Sequence, residues 1–452
     1  MNKSKVDMTE GPFLKKMIIF AIPLILTGVL QCFYNAADLV VVGRFRGDLA
    51  LAAVGSTGNL TNLITGLFMG LSVGAGVLVA QHVGAKEYEE VNKVVHTSIF
   101  LAFVIGIFIS ICGIFLARPL LALMDTPETV LPQATLYMKI VFLGVPAMFT
   151  YNYIASMMRS SGDSKHPLIF LSISGFINVV LNLILVCFFG MSVDGVAVAT
   201  IVSQYCALAM FLVHLMRDEG FLHFDMRKLK IHTSKVPRLL YIGIPSGLQS
   251  IMFALSNVFI QSFINAYGDE FMAGSSASGS LEGFVYIAMN AFYHVSLTFV
   301  GQNVGARKYK NIKSLTAYST ALVTALGLFV AAVFVLLRHQ LLGLYVTSDA
   351  SMEAGLVRFM IIVPTYFLCG IMEVFCGALR ALGKSVTTMV ISIVGICALR
   401  ILWLETVCRV FEDPSWIFYS YIVTWLVSII CLLVFLIFEV RKAIRSTESI
   451  KI

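Results

Sequence analysis

The stretch QHVGAKEYEEV at residues 81–91 returns as QNVGARKYKNI at residues 302–312, which is 221 residues further along the chain. At the same offset, MRSSGDS at 158–164 returns as LRALGKS at 379–385. Short motifs that repeat in the same order and at one spacing indicate an internally duplicated architecture. The sequence therefore predicts two copies of a single structural unit.

The composition is that of a membrane protein. Of the 452 residues, 58% are hydrophobic and 13% are charged, and the mean hydropathy is +0.89. A soluble protein of this length carries about twice that share of charged residues. The net charge of +7 is then explained by basic loops at a membrane surface, and we expect no nucleic-acid partner.

Twelve apolar segments are long enough to cross a bilayer, which takes about 20 residues each. They lie near 14–42, 50–81, 94–117, 130–157, 166–190, 193–216, 238–265, 271–302, 313–337, 351–378, 386–408 and 415–440. The sequence predicts an all-α membrane protein whose twelve transmembrane helices form two six-helix pseudo-symmetric bundles. The predicted parts are an N-lobe at 1–216, a cytoplasmic linker at 217–237 and a C-lobe at 238–452.

The basic residues are distributed unevenly between the two sides of the predicted bundle. Loops on the side of the termini hold 24 of the 32 Lys and Arg residues, and the opposite loops hold five. Because basic loops stay in the cytoplasm, we expect a multi-pass protein of the plasma (inner) membrane with both termini cytoplasmic. Both copies of the QxVGA loop fall on that side, so the halves are parallel repeats with a cleft between them, where secondary transporters bind cargo.

One carboxylate, Asp38, lies inside the first apolar segment. At about 100° per residue, it shares a helix face with four other polar residues, and the whole stripe is Thr27, Gln31, Tyr34, Asn35 and Asp38. An ionised acid is costly in hydrocarbon and is rarely present without a role, so we expect this stripe to face the protein interior or water. The alternative is an interfacial acid that reaches outward to Arg44 or Arg46.

Two further acids, Glu282 and Glu373, lie within the eighth and tenth segments, and neither recurs in the other half. Such an acid can hold a proton, or bind Na⁺ with help from neutral oxygens. Polar residues also recur every four positions in the fifth segment, at Asn178 and Asn182. The alternative for any single one of these is a hydrogen bond that joins two helices.

The sequence offers no pattern typical of an enzyme or a metal site. GALRALGKS at 377–385 has five residues between its outer glycines, where a phosphate loop has four, and it follows a membrane helix instead of a strand. The eight histidines include no HExxH pair, and the nine cysteines include no CxxC pair. We therefore expect neither enzymatic activity nor a bound metal or cofactor.

Together these features resemble the multidrug and toxic compound extrusion (MATE) family. The resemblance rests on the two six-helix halves, on Pro23 and Asp38 in the first helix, on the loops AQHVGAKEY and GQNVGARKY, and on RSSGD and RALGK after the fourth and tenth helices. It implies a MATE-like fold with two lobes around a central cavity, and rocker-switch export of cationic amphiphiles driven by inward H⁺ or Na⁺. Pro23 is expected to bend the first helix, because proline removes a backbone hydrogen bond.

The resemblance also implies which residues couple the ion. A first-helix acid meets Asn or Asp of the fifth helix and Thr of the sixth, which correspond here to Asp38, Asn178, Asn182 and Thr200. Many members carry an acid where this chain has Asn182, so the coupling ion stays open between H⁺ and Na⁺. The candidate C-lobe acids are Glu282 and Glu373. The expected substrate cavity is lined by Thr27, Gln31, Tyr34, Asn35, Asn152, Asn257, Gln261, Tyr286 and Asn290.

The leading hypothesis is a secondary antiporter that exports cationic amphiphilic drugs or xenobiotics in exchange for H⁺ or Na⁺. We expect a monomer whose partners are organic cations and membrane lipid. The alternative is a lipid-linked saccharide flippase of the same superfamily, which should carry several Arg or Lys residues inside its spans; Arg400 is the only clear one. A third class is a membrane enzyme or a receptor-like protein, and a receptor would need neither duplicated halves nor acids within its spans.

Overall fold

The computed structural model describes residues 8–124, 126–411 and 413–448, excluding the side chains of Asp48, Asn59 and Lys228. The regular structure in these ranges is helical throughout. The first eight α-helices are α1 (Phe13–Arg46), α2 (Asp48–Ser56), α3 (Gly58–Gly84), α4 (Tyr88–Leu123), α5 (Leu131–Ser160), α6 (Lys165–Asn182), α7 (Val193–Arg217) and α8 (Val236–Asn265). The next eight are α9 (Asp269–Gly305), α10 (Tyr309–Leu336), α11 (Arg338–Leu342), α12 (Asp349–Ile362), α13 (Phe367–Ala381), α14 (Ser385–Ser392), α15 (Leu399–Val410) and α16 (Ser415–Glu448).

Eleven helical stretches of the described chain are long and apolar enough to cross a membrane, and a bent pair makes up a twelfth. The bent pair is α12, continued by a 3₁₀ turn at Val363–Thr365, followed by α13 at an angle of 45°. Pro364 accounts for the break, because proline lacks a backbone N–H group and clashes with the preceding turn. Two other spans contain a π-helical turn, at Leu183–Phe188 after α6 and at Ile393–Ala398 between α14 and α15.

The repeated stretches of sequence form the same turn in both halves. The turn from α3 to α4 occupies 85–87, and the turn from α9 to α10 occupies 306–308, at the offset of the sequence repeat. In each turn the middle residue has a left-handed backbone, Lys86 with a φ of 61° and Arg307 with a φ of 56°. The repeat that is visible in the sequence is therefore also a repeat of backbone geometry.

The chain divides into two compact units, each with its own core. The described residues of the first unit are 26–82 and 87–243 without 125, and those of the second are 8–25, 83–86 and 244–448 without 412. Between α7 and α8 the described chain holds one short 3₁₀ turn, Met226–Lys228. The predicted lobe boundaries, with a linker at 217–237, stay a prediction.

The core of the first unit is built around α5, which packs against α4 and α7 and is buried along most of its length. Gly106 of α4 lies against Pro146 of α5, where a side chain would overlap the proline backbone. Phe68 and Phe149 stack with their ring centres 4.5 Å apart. Small residues and close packing of this kind hold membrane helices together, because hydrocarbon offers no water to drive their association.

The core of the second unit is built around α9, which packs against α10, α12 and α13. The hydroxyl of Ser296 in α9 donates a hydrogen bond of 2.7 Å to the Val374 carbonyl in α13. The first part of α1 belongs to this unit, and its Phe20 meets Phe299 of α9 edge to face at 6.0 Å. Helix α1 continues through Pro23, and the predicted bend there stays a prediction.

Candidate functional site

A small polar cavity lies inside the first unit and is bounded by α1, α5, α6 and α7. Its volume is about 110 Å³, which is room for several water molecules. Seven of the predicted site residues line it: Thr27, Gln31, Tyr34, Asn35, Asp38, Asn178 and Thr200. The polar stripe of α1 therefore faces the interior of this unit.

Asp38 stands at the end of a chain of polar side chains from three helices. The Nδ2 atom of Asn182 donates a hydrogen bond to Oδ1 of Asp38, and it lies 3.5 Å from Oδ1 of Asn178. The Nδ2 atom of Asn178 in turn donates to Oγ1 of Thr200 at 3.4 Å. The structure thus brings together all four residues that the resemblance assigns to ion coupling.

The side-chain oxygen of Asn182 is a buried hydrogen-bond acceptor without a donor among the described residues. Asn182 is 1% exposed, and within the described part of the chain no hydrogen-bond partner reaches its Oδ1 atom. A buried polar atom without a partner costs about 1–3 kcal/mol, so a ligand that satisfies it gains that amount. Asn182 is not among the residues that line the cavity, but its oxygen, like the Asp38 carboxylate and the Thr200 hydroxyl, is of the kind that a proton donor or a hard cation prefers.

The electrostatic character of the cavity is negative. Asp38 is the only carboxylate among the described lining residues, and no lysine or arginine lines the cavity. The nearby Arg46 donates from Nη2 to the Val186 carbonyl in the π-helical turn, where the usual backbone pairing is shifted. The alternative was an interfacial acid that pairs with Arg44 or Arg46. Among the described residues, Asp38 forms no ion pair with either arginine.

Sequence reasoning missed several residues that line this cavity, among them Gly175, Ser203 and Gln204. A side chain at Gly175 of α6 would overlap the ring of Tyr34, so glycine permits this close approach. Ser203 and Gln204 follow Thr200 by three and four residues. That helical spacing places all three on one face of α7, and it is the signal that would have found them.

The acid of α9 in the second unit has a different environment. Glu282 is buried and forms a two-fold ion pair with Arg358 of α12, in which Nε lies 2.7 Å from Oε1 and Nη2 lies 2.9 Å from Oε2. Ser278 donates to Oε1 at 3.1 Å, and Nη1 of Arg358 donates to the hydroxyl of Ser275 at 3.0 Å. The charge of Glu282 is therefore neutralised inside this unit by a fixed guanidinium group.

Glu373 of α13 is also buried, with 8% of its surface exposed. Two turns later on the same helix, Arg380 is buried as well. Its Nη1 atom donates to the Tyr293 hydroxyl at 2.7 Å, and its Nη2 atom donates to Oε1 of Gln249 at 2.6 Å. The second unit thus holds a polar network of its own next to this acid.

The expectation that Arg400 is the only clear cation within the membrane stays a prediction. Arg358 and Arg380 also lie inside helices of the second unit. Arg400 itself is 4% exposed, donates to Oγ1 of Thr424 at 3.2 Å, and lies 4.1 Å from the ring centre of Tyr421.

The remaining predicted cavity residues are not among those that line the cavity. In the first unit, Asn152 is buried in α5 and donates to a backbone carbonyl one turn earlier at 2.7 Å. In the second unit, Asn257 is exposed on α8, Gln261 donates to an asparagine one turn later at 2.8 Å, and Asn290 donates to the Tyr286 hydroxyl at 3.3 Å. Their part in substrate binding stays a prediction.

Comparison with known proteins now adds an independent observation. The sequence profile of the MatE family matches residues 23–184 and 245–404. The chain belongs to the MatE family. Each matched stretch contains one copy of the repeat, at 81–91 and 302–312. The predicted membership is confirmed, and this MatE protein is a transporter and not an enzyme.

Its similarity to two bacterial relatives extends over most of both chains. It is 29% identical over 395 residues to the probable multidrug resistance protein YoeA of Bacillus subtilis, covering 86% of this chain and 85% of YoeA. It is 22% identical over 375 residues to the multidrug export protein MepA of Staphylococcus aureus, covering 83% of each. This MatE chain is therefore related to both over their length.

A solved structure has the same fold as this MatE chain. A mutant of the MATE transporter VcmN of Vibrio cholerae superposes with a TM-score of 0.87 at 21% sequence identity, covering 96% of this chain and 97% of VcmN. At that identity the likeness concerns the fold alone. The predicted fold, an all-α membrane protein of twelve spans, is confirmed.

Proposed function

We propose that this chain is a secondary antiporter that exports cationic amphiphilic drugs in exchange for H⁺ or Na⁺ bound at Asp38. The observation that carries the proposal is the cavity of the first unit. Among the described residues that line it, a single carboxylate faces neutral amides and hydroxyls, and none carries a basic side chain. A partly buried charge without a counter-ion attracts a mobile cation.

The size of the cavity supports an ion as its occupant. Sites for drug-sized molecules measure about 300–1,000 Å³, whereas this cavity measures about 110 Å³. A proton or a sodium ion fits this space, and a drug molecule does not. We therefore assign the cavity to the coupling ion, and the cargo contacts a different part of the chain.

The choice of cargo rests on the relatives. YoeA and MepA are named as multidrug resistance and multidrug export proteins, and this chain shares most of their length. A site whose carboxylate binds the coupling ion favours cargo of the same sign, because both respond to one negative charge. We propose lipophilic organic cations as the cargo class.

The proposed mechanism follows from the hydrogen-bonded side chains of Asn182, Asn178 and Thr200 next to Asp38. While the carboxylate is ionised, Asn182 can donate to it, and the Asn182 oxygen and Thr200 hydroxyl leave oxygens for Na⁺. When a proton binds Asp38, the negative charge disappears and the electrostatic attraction for a cation is lost. A transporter that favours a different shape in each of these two states exchanges one cation for another.

The alternative of a lipid-linked saccharide flippase is less well supported. A pyrophosphate group needs several cations in the cavity that receives it, and no lysine or arginine is among the described residues that line the cavity around Asp38. We further propose the plasma membrane as the location, cytoplasmic termini, and a monomer surrounded by lipid. The excess of basic residues in loops on the side of the termini supports this orientation.

The test is transport by the purified chain in liposomes, with a pH gradient and a Na⁺ gradient imposed separately and ethidium as the probe. We expect one of the two gradients to drive ethidium movement. The Asp38→Asn variant should reduce that movement to the background of empty liposomes, because the amide cannot bind or release the ion. Glu128→Gln, which changes an exposed loop acid, is the matched control and should transport normally.

Two outcomes would count against the proposal. If neither gradient moves ethidium in liposomes that contain folded protein, antiport of organic cations is wrong. If Asp38→Asn transports as well as the unmutated chain, the coupling ion binds elsewhere.

A further inference from the structure

Three potential metal ligands meet in the first unit, where the turn before α6 faces the end of α7. We propose that Asp163, His166 and His214 form a binding site for a divalent first-row transition metal ion such as Zn²⁺. Each side chain offers one ligand atom, and these three atoms lie within 4.8 Å of one another. None of the three lines the cavity around Asp38.

The carboxylate of Asp163 is held in position by nearby backbone N–H groups. Its side chain is 3% exposed. Its Oδ1 atom accepts hydrogen bonds from the backbone N–H groups of Lys165 at 3.2 Å and His166 at 3.1 Å. These bonds direct Oδ2 towards the His166 ring, whose Nδ1 atom lies 2.6 Å away. The carboxylate therefore needs little ordering before it binds a cation.

The two imidazole rings are also held by packing. The ring centres of His166 and His214 lie 4.4 Å apart at an angle of 35°. Phe170, one turn after His166, contacts both rings at 6.0 Å and 5.4 Å between centres. Two imidazoles and a carboxylate that are already neighbours lose little entropy when an ion binds, which favours affinity.

The ligand set selects the class of metal. Imidazole nitrogens suit Zn²⁺, Co²⁺ and Ni²⁺, whereas Mg²⁺ and Ca²⁺ prefer oxygen ligands alone. Bonds of about 2.0–2.1 Å in a tetrahedral site place ligand atoms about 3.3 Å apart. Ligand atoms that now lie up to 4.8 Å apart need to close by at most about 1.5 Å, and the Asp163–His166 pair at 2.6 Å needs to open by about 0.7 Å. Water fills the fourth position, and bonds to the ion replace the hydrogen bond between Asp163 and His166.

A bound ion would join two helices that also carry the proposed coupling site. His166 is the second residue of α6, and His214 lies three residues before the end of α7. Asn178 follows His166 by 12 residues, which is about 18 Å along the helix, and Thr200 precedes His214 by 14 residues, which is about 21 Å. The ion therefore joins α6 and α7 at one end, and the opposite parts of the same two helices lie around Asp38. We call this link between the two helices the clamp.

The test is metal binding by the full-length chain, purified in detergent through an affinity tag that contains no histidine. Titration calorimetry with Zn²⁺, and metal analysis after dialysis, should give one ion per chain, with no binding of Mg²⁺. His166→Ala and His214→Ala should each weaken Zn²⁺ binding by about tenfold or more. His339→Ala, which removes an exposed histidine of α11, is the matched control and should bind normally.

Two measurements keep the proposal testable if a histidine variant folds poorly. Zn²⁺ should raise the melting temperature of the unmutated chain, because a ligand of the folded state stabilises it. Co²⁺ added to the unmutated chain should give the visible absorption of a tetrahedral site, and Zn²⁺ should abolish it. The absence of stoichiometric Zn²⁺ binding, or binding that both histidine variants retain, would overturn the site.

The effect of the clamp on transport is tested separately, and this test rests on the proposed function. Zn²⁺ should slow ethidium transport severalfold in liposomes that contain the unmutated chain, and it should have no effect on His214→Ala. Binding is measured without any substrate, so a failure of the transport proposal would leave the metal site intact. Stoichiometric binding without any slowing of an active transporter would overturn the clamp alone.

Discussion

The two halves of the chain repeat one fold, but they surround their buried acids with different partners. Asp38 in the first unit accepts a hydrogen bond from the amide of Asn182, whereas Glu282 in the second unit is paired with the guanidinium of Arg358. A fixed cation cancels the charge of Glu282, and the charge of Asp38 is left for a mobile one. The repeat therefore preserves helices and turns, while the charges have been free to diverge.

The largest expected difference between the halves is in transport. Asp38→Asn should abolish gradient-driven ethidium movement, as proposed above. The double variant Glu282→Gln with Arg358→Met removes an acid and its cation together, so the net charge of the second unit is unchanged. We expect it to retain transport within a few-fold of the unmutated chain in the same liposomes. Complete loss of transport in a folded double variant would show that both halves take part in coupling.

The next largest effect concerns stability. Arg358→Met alone leaves Glu282 buried without its partner, which should cost about 3–5 kcal/mol of unfolding free energy. Adding Glu282→Gln should recover most of that loss, because the unpaired charge is then gone. Thermal melting of the two variants in detergent measures the difference. Equal melting temperatures for the single and double variants would contradict a stabilising ion pair.

A smaller effect is expected where α6 approaches α1. Gly175→Ala introduces a methyl group against the Tyr34 ring, and overpacking of this kind costs about 1–3 kcal/mol. In a chain that already carries Tyr34→Ala, adding Gly175→Ala should cost little further stability, because the smaller side chain makes room. Melting curves of Gly175→Ala, Tyr34→Ala and the double variant test this. If Gly175→Ala melts like the unmutated chain, the two helices are not in such close contact.

The smallest predicted effect is at the far end of the amide chain. Thr200→Val removes the acceptor of the hydrogen bond from Asn178, a bond worth about 1 kcal/mol. Half-maximal transport should then need an ion concentration about fivefold higher, since 1.4 kcal/mol corresponds to a factor of ten. Thr200→Ser keeps the hydroxyl and serves as the control. Equal ion dependence for both variants would remove Thr200 from the site.

Most of the fold is predictable because the bilayer imposes long apolar helices. The twelve apolar segments all coincide with helices, and the repeat in the sequence coincides with the repeated turns. The interruptions inside the spans are harder to predict. Pro146 lies within a continuous α5, whereas Pro364 accompanies a 45° bend. Whether a proline bends a helix depends on the helices packed around it, and hydropathy does not report this packing.

The site was only partly predictable from the sequence. Helical spacing was enough to place Asp38 on a polar stripe. Its contact with Asn182 joins residues that are 144 positions apart in the sequence, and only the family resemblance predicted it. The pairing of Glu282 with Arg358, across 76 residues, left no local signal. Hydropathy and spacing describe one helix at a time, and these contacts depend on which helices become neighbours.

The matched turns at 85–87 and 306–308 have a consequence for the ancestry of the chain. A left-handed backbone costs an ordinary residue about 1–2 kcal/mol, and glycine would avoid that cost. Both copies nevertheless keep a long basic side chain there, at Lys86 and Arg307. A single ancestral half that already had a cation at this bend, copied and fused end to end, accounts for the coincidence. The two halves share the bend, whereas the acids inside their spans differ.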